Sequence, residues 1–135
     1  MTLPLPPLAT LPGDDLVAVL RAGGEPTRLR VLALLEAGDL TVKDLTAILG
    51  QSQPRISRHL KLLVEAGLVD RFPEGSWVYY RLRDDGAAAG LVRLVLAALD
   101  RDDLAIRRDR ERLDTVKRDH AEEAARYFAA NASGW

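Results

Sequence analysis

Apolar residues recur at helical spacing along much of the chain, and glycines separate one apolar stretch from the next. Apolar positions three and four residues apart form one face of an amphipathic helix, and glycine is common directly after a helix end. Thr41 and Ser52 are residue types that cap helix starts, Asp44 is an acidic partner for Thr41, and Pro26 suits a first helical position. Five helices are predicted, over residues 15–22, 26–37, 42–49, 53–66 and 87–99.

Between the fourth and fifth helices the pattern becomes that of strands. Residues 68–72 and 76–82 are rich in β-branched and aromatic side chains, and the sequence Pro-Glu-Gly at 73–75 is typical of a turn. The sequence therefore predicts a β-hairpin. Trp77 and Tyr79 share one face of it, where we expect packing; contact of an exposed tyrosine with phosphate or a ligand is the alternative.

The two ends of the chain differ from this central part. Residues 1–13 contain four of the seven prolines and are predicted to form a flexible N-terminal arm. Residues 100–135 are strongly charged and lack proline. In this segment Ile106, Leu113, His120 and Tyr127 recur every seven residues, with Val116 between them. The spacing predicts a long helix with a narrow coiled-coil-like seam, in which Leu113 and Val116 serve dimerisation.

His120 occupies a seam position in that helix. We expect an interhelical contact there, and pH sensing is the alternative because the usual pKa of histidine lies near neutrality.

Composition excludes several classes of function. The chain has no cysteine and only two histidines, which argues against disulfides, zinc–thiolate sites, thiol catalysis and a multi-histidine metal site. No glycine-rich phosphate loop is present either. Together, these absences predict no catalytic or metal-binding residues, and the chain is not expected to be an enzyme. No apolar run approaches the roughly 20 residues that span a bilayer. With no secretion signal at the N-terminus, the expected location is the cytoplasm, without a membrane partner.

The third and fourth predicted helices have the spacing of a helix-turn-helix unit. Residues 42–49 are followed by the short turn 50–52 and then by a longer helix. In that motif the second helix enters the major groove of DNA with its N-terminal residues on the base edges. Ile56, Leu60 and Leu63 follow helical spacing and are predicted to face the core.

The outward face of the fourth helix carries amide and basic side chains. Gln53 and Arg58 are residue types that read adenine and guanine through paired hydrogen bonds, whereas Lys61 suits a phosphate. Arg71 and Arg81 flank the hairpin turn, as in a wing that lies along the DNA backbone or in the minor groove. Net charge is −1 overall but +3 over residues 26–83. This excess is modest, and an ordinary solvated basic face is the alternative.

Four stretches carry a resemblance to a known family. They are E-P-T-R-L-R-V-L-A-L-L at 25–35, L-T-V-K-D-L at 40–45, Q-S-Q-P-R-I-S-R-H-L-K-L-L-V-E-A-G-L-V at 51–69 and G-S-W-V-Y-Y-R-L at 75–82. Over residues 14–99 the chain closely resembles the ArsR-type bacterial transcriptional repressors. The resemblance implies a mainly α protein with a β-hairpin, a winged helix-turn-helix of order α-α-α-α-β-β-α, followed here by the long C-terminal helix. It implies a homodimeric repressor on a palindromic operator in double-stranded DNA, released by an effector.

The resemblance also assigns roles to residues. A structural or phosphate-contacting role is implied for His59, and the first helix and the helix after the wing are implied to form the dimer interface. The residues expected to contact DNA are Ser52, Gln53, Pro54, Arg55, Ser57, Arg58, His59, Lys61, Arg71 and Arg81. The residues expected to serve dimerisation are Leu16, Leu20, Leu91, Leu94 and Val95, together with Leu113 and Val116.

Two departures from the family pattern bear on the effector. Metal-sensing members carry a cysteine pair in the third helix or metal ligands after the wing, and this chain has neither the cysteines nor a histidine in residues 86–99. Thiolate metal sensing is therefore not expected. The tail Y-F-A-A-N-A at 127–132, followed by Trp135, resembles a subgroup in which an S-adenosylmethionine-type methyltransferase domain follows.

That subgroup suggests S-adenosylhomocysteine or a related small molecule as the effector. The chain is then either naturally short or stops where such a domain begins.

Three functional hypotheses follow from the sequence. The first is the DNA-binding repressor, with residues 14–99 for DNA binding and dimerisation and 100–135 as a dimerising extension or a linker. The second is an interaction module whose winged fold docks a partner or regulates a fused methyltransferase. The third, an enzyme, finds no support in the residues present.

Overall fold

The computed structural model describes residues 9–132, which form six helices and one three-stranded antiparallel sheet. The predicted mainly α fold with a hairpin and a long last helix is confirmed. Part of the predicted N-terminal arm, residues 1–8, and Trp135 lie outside the described residues. The elements are α1 (Gly13–Gly23), α2 (Pro26–Leu35), β1 (Leu40–Thr41), α3 (Val42–Leu49), α4 (Gln53–Glu65), β2 (Val69–Glu74), β3 (Trp77–Leu82), α5 (Gly86–Ala97) and α6 (Leu104–Asn131).

The helix-turn-helix unit forms where local signals predict it. Thr41 and Asp44 make a reciprocal capping box at the start of α3, in which each side chain accepts a hydrogen bond from the other's backbone N–H. Helix α3 ends at Gly50, whose φ of 65° lies in the left-handed region that favours glycine. Ser52 then caps α4 by accepting a hydrogen bond from the backbone N–H of Arg55.

The hairpin turn differs from the prediction, because β2 runs on through Pro73 and Glu74. Strand β2 is an edge strand in the order β1-β3-β2, so a proline without a backbone N–H breaks no ladder on its outer side. Glu74 pairs with Trp77, which leaves Gly75 and one further residue to form the loop. The positive φ of Gly75, 61°, is what so tight a loop requires.

The short strand β1 was not predicted, because two residues carry no strand pattern of their own. It pairs antiparallel with β3, with Leu40 opposite Tyr80 and Thr41 opposite Tyr79. This pairing joins the start of α3 to the hairpin, so the wing and the helix-turn-helix unit share one sheet.

The core lies among α2, α3 and α4 and is closed by the sheet and by parts of α5 and α6. Ile56, Leu60 and Leu63 are fully buried in it, as helical spacing predicts. Apolar burial of this kind is the main stabilising contribution to a fold of this size. It fixes α4 with its opposite face in solvent.

Helix α6 lies back on its own protomer, and this corrects the predicted dimerising seam. Leu113 is only 1% exposed and belongs to the core, while Val116 packs against that core. Neither residue therefore offers a free apolar surface to a partner. The seven-residue spacing was ambiguous because it also suits a helix that packs on α2 and α3. Tyr127, the last seam position, is 64% exposed.

Within residues 9–132, no helix combines the length and apolar character needed to cross a bilayer.

Candidate nucleic-acid interface

The first turns of α4 present a row of exposed polar side chains. Seven residues predicted to contact DNA are exposed here: Ser52, Gln53, Pro54, Arg55, Ser57, Arg58 and Lys61. Among the residues that the structure describes, neither Arg55 nor Arg58 forms an ion pair. Lys61 lies 3.9 Å from Glu65 in a solvent-exposed pair, which costs little to break. These side chains are free to meet base edges or phosphates.

The turn before α4 is held to α2. The side-chain amide of Gln51 donates a hydrogen bond of 3.0 Å to the hydroxyl of Thr27. Together with the buried inner face of α4, this contact fixes the direction in which the helix start points. An interface that is preorganised loses less entropy on binding than a mobile one.

His59 lies beside this exposed face and contacts α2, which agrees with the structural one of the two roles implied for it. Its Nδ1 lies 3.1 Å from a guanidinium nitrogen of Arg28 and 3.8 Å from a carboxylate oxygen of Glu25. The side chain is only 15% exposed. Burial lowers the pKa of His59, and neighbouring arginine charges act in the same direction. Because a guanidinium can only donate, Nδ1 of His59 accepts the hydrogen bond from Arg28, and this contact joins α4 to α2.

Arg28 is the residue that sequence reasoning missed at this contact. Besides His59, its guanidinium donates to the backbone carbonyls of Ala22, at 2.7 Å, and Arg21, at 3.2 Å. One side chain thus links the end of α1, the start of α2 and the middle of α4. Arg28 and His59 are 31 positions apart, so no local sequence signal could have shown the contact.

The two arginines predicted for the wing differ in their surroundings. Arg81 lies 3.1 Å from a carboxylate oxygen of Asp39, and its guanidinium stacks 4.0 Å from the ring centroid of Phe72. Both side chains of this pair are solvent-exposed, so the pair costs little to break and Arg81 stays a predicted DNA contact. Arg71 is exposed and has no ion pair in the described part of the chain. Arg71 pairs with Tyr80, the residue before Arg81. The side chains of Arg71 and Arg81 therefore lie on opposite faces of the hairpin.

Helix α6 packs against α2 and α3. Asp109 accepts two hydrogen bonds of 2.8 Å from Arg30 on α2, and this bonding raises the pKa of Arg30. Arg112 donates to the carbonyl of Ile48 near the end of α3. His120 Nε2 lies 2.9 Å from Oδ1 of Asp44, so the predicted interhelical contact is made to α3 of the same chain.

An exposed apolar surface lies on α1 and α5, which pack against each other. Four residues predicted for dimerisation lie on it: Leu16, Leu20, Leu94 and Val95, which are 37–52% exposed. Val17 extends the same surface. Leu91, the fifth predicted residue, is partly buried and packs against the core. Adjacent exposed apolar side chains of this size are typical of an interaction surface.

Metal ligation finds no site in the part of the chain described here. Across residues 9–132, no three side chains of histidine, cysteine, aspartate or glutamate lie close enough together to hold an ion.

Comparison with known proteins shows that the chain is similar to transcriptional regulators. A sequence profile described as "Bacterial regulatory protein, arsR family" matches residues 25–71. The arsenical resistance operon repressor of Escherichia coli is 54% identical over 59 residues, which are 43% of this chain and 50% of that protein. An uncharacterized HTH-type transcriptional regulator of Methanocaldococcus jannaschii is 43% identical over 68 residues, which are 50% of this chain and 76% of that protein.

A solved structure of a DNA-binding domain has a similar fold. The homodimeric winged helix-turn-helix DNA-binding domain of a Mycobacterium bovis protein superposes with a TM-score of 0.57 at 31% identity. The alignment covers 65% of this chain and 81% of that domain. The chain thus spans about four fifths of that domain, but only about half the length of the E. coli repressor.

Proposed function

Because the chain belongs to the ArsR family of bacterial regulatory proteins, we propose that it is a sequence-specific DNA-binding transcriptional repressor. The observation that carries the proposal is the exposed start of α4. Gln53, Arg55 and Arg58 are solvent-exposed on a helix whose inner face is locked into the core. A helix held in this way can place its first turns in the major groove, where amide and guanidinium groups distinguish base pairs.

We propose further that the repressor acts as a homodimer on a palindromic operator. The exposed apolar residues of α1 and α5 support this, as does the homodimeric state named for the M. bovis domain. Two recognition helices related by a twofold axis read half-sites about 34–36 Å apart along the duplex. Residues 14–99 would supply DNA binding and dimerisation, and residues 100–135 would brace that unit through α6.

Substitution of Leu20 by glutamate is expected to weaken the dimer at least about tenfold, because a carboxylate buried among apolar side chains is strongly disfavoured. Leu20 is 52% exposed in the single chain, the largest exposed fraction among the apolar residues of this surface. Sedimentation equilibrium over a range of protein concentrations measures the effect. Leu104→Glu is the matched control, since Leu104 is 58% exposed and belongs to α6, outside α1 and α5. A monomeric wild-type protein, or equal effects of both variants, would contradict this interface.

We also propose that a small effector molecule releases the repressor from DNA. S-adenosylhomocysteine is the first candidate, on the likeness of residues 127–132 to a subgroup with a fused methyltransferase. If the effector site belongs to such a domain, these residues alone bind DNA whether or not the molecule is present. An interaction module that does not bind DNA is the competing function, and the same experiment separates the two.

The test begins with selection of bound sequences from random duplex DNA, followed by fluorescence anisotropy on the enriched sequence. We expect an inverted repeat to be enriched and to bind selectively over scrambled DNA at about 0.15 M salt. The logarithm of affinity should fall with the logarithm of salt concentration by about 0.9 per phosphate contacted. Titration with S-adenosylhomocysteine then shows whether sensing resides in this chain. Failure to enrich any sequence would overturn the DNA-binding proposal and favour the interaction module.

A further inference from the structure

A cavity of about 490 Å³ lies between α3, the wing and α6, on the side of the protein that carries the His120–Asp44 contact. Trp77 and Tyr79 of β3 form one wall, and Lys43 and Asp44 of α3 form another. The remaining wall is supplied by α6. None of the residues predicted to contact DNA, and none from the apolar surface of α1 and α5, lines this cavity.

The charge of the cavity is mainly negative. Asp44, Asp119 and Glu123 line it, and Lys43 is the single lysine or arginine among its lining residues. Asp44 already accepts hydrogen bonds from His120 and from the backbone of Thr41. Asp119 and Glu123 have no ion pair within residues 9–132.

The two α6 carboxylates are also placed unfavourably for the helix itself. They are four residues apart on one helix face, where like charges repel and disfavour the helix. A cation bound between them would relieve that repulsion.

The aromatic wall of the cavity includes a solvent-exposed ring, that of Trp77. Trp77 is 52% exposed, although tryptophan is the side chain with the largest apolar surface to bury. Tyr79, by contrast, is stacked on Phe72 at 5.7 Å between ring centroids. In the described chain the one cation stacked on an aromatic ring is Arg81 over Phe72, so the face of Trp77 is open to a cation or a second ring.

We propose that this cavity binds a small molecule with a flat aromatic or heteroaromatic ring and a positively charged amino group. The ring stacks on Trp77, and the amino group lies between the carboxylates of Asp119 and Glu123. Ring stacking acts at one wall and charge attraction at the other, which selects for both features in one ligand.

The position of the cavity gives the ligand a means of regulation, a step that rests on the proposed repressor function. One wall is α3, which holds the turn before α4, and another is the strand that carries the wing. A ligand between them that fits only one arrangement of wing and α3 would change DNA affinity, and DNA would change ligand affinity by the same factor.

Binding is tested without DNA, so the result is independent of the repressor function. The chain has two tryptophans, and Trp135→Phe leaves Trp77 as the only one. In this background Trp77 emission is followed during titration with 2-phenylethylamine, with 2-phenylethanol and with 3-phenylpropionate, which have similar shapes and different charges. We expect saturable binding of the amine, about tenfold weaker binding of the alcohol and none of the carboxylate.

Two pairs of substitutions on α6 separate the site from general charge. Asp119→Asn with Glu123→Gln should weaken binding of the amine about tenfold. Asp114→Asn with Glu122→Gln removes the same charge from exposed positions outside the cavity and should leave affinity unchanged. Trp77→Leu, followed by calorimetry, should abolish binding. Equal binding of the three probes, no saturable response at millimolar concentration, or equal effects of the two pairs would overturn the proposal.

Discussion

Replacement of Asp109 by alanine is expected to lower the free energy of unfolding by about 3 kcal/mol, one of the largest effects of any single polar substitution in this protein. Asp109 is 2% exposed and accepts two hydrogen bonds from Arg30, which lies 79 positions earlier in the chain. The pair joins α6 to α2. Removal of the carboxylate leaves the mostly buried guanidinium of Arg30 without its counter-charge. The free-energy cost of its desolvation is then no longer offset by the ion pair.

Urea unfolding of wild-type and variant proteins measures this effect. The matched control is Asp114→Ala, because Asp114 pairs with Arg110 at 3.8 Å on the same helix but both side chains are exposed. An exposed pair of this kind contributes at most about 1 kcal/mol. The double variant Arg30→Met with Asp109→Leu should recover much of the lost stability, since an apolar pair leaves no charge unpaired. Equal effects at positions 109 and 114 would contradict the structural role of this pair.

The helix-turn-helix unit could be predicted in detail because its signals are local. Thr41, Asp44, Gly50 and Ser52 set the ends of α3 and the start of α4 through contacts within four residues. The inner face of α4 follows from spacing alone. Both kinds of information are present in any window of a dozen residues, and tertiary packing did not override them here.

Contacts between distant parts of the chain account for what the sequence could not show. Arg81 looks like a free wing arginine until β1 brings Asp39 beside it, 42 positions away. The same limit applies to His59, which faces Arg28 instead of solvent. Each of these residues has a basic side chain near the expected DNA surface. Their partners are evident only once the sheet and helix packing are known.

The direction of α6 illustrates a second limit. A repeat of seven residues suits a partner helix in another protomer and a groove on the same protomer equally well. What decides between them are contacts with distant residues: Arg30 of α2 pairs with Asp109, and Leu113 is buried in the core of its own chain. The part of α6 that carries Asp109 and Leu113 therefore belongs to the folded unit that positions α4.

Loss of Gln53 and Arg58 together is expected to remove most of the preference for the operator while leaving the fold intact. Both side chains are exposed at the start of α4, and neither contributes to the core. A good side-chain contact to a base edge supplies about 1–3 kcal/mol of discrimination, which is about a fivefold to 150-fold loss for each substitution to alanine. Affinity for scrambled DNA should change much less, since base contacts contribute to it little.

Lys61→Ala provides the contrast that separates base reading from phosphate contact. Lys61 is farther along α4, with a side chain that is 76% exposed. Its loss should weaken binding to all sequences alike and reduce the salt dependence by about one phosphate contact. Anisotropy titrations on operator and scrambled DNA at several salt concentrations measure both quantities, with Arg108→Ala, an exposed arginine on α6, as the control.

An unchanged ratio of operator to scrambled affinity in the Gln53 and Arg58 variants would show that α4 does not read the sequence. Because His59 and Arg28 hold α4 on its other side, the thermal midpoint of these variants should stay at the wild-type value, and a loss of binding then reports on the DNA surface alone.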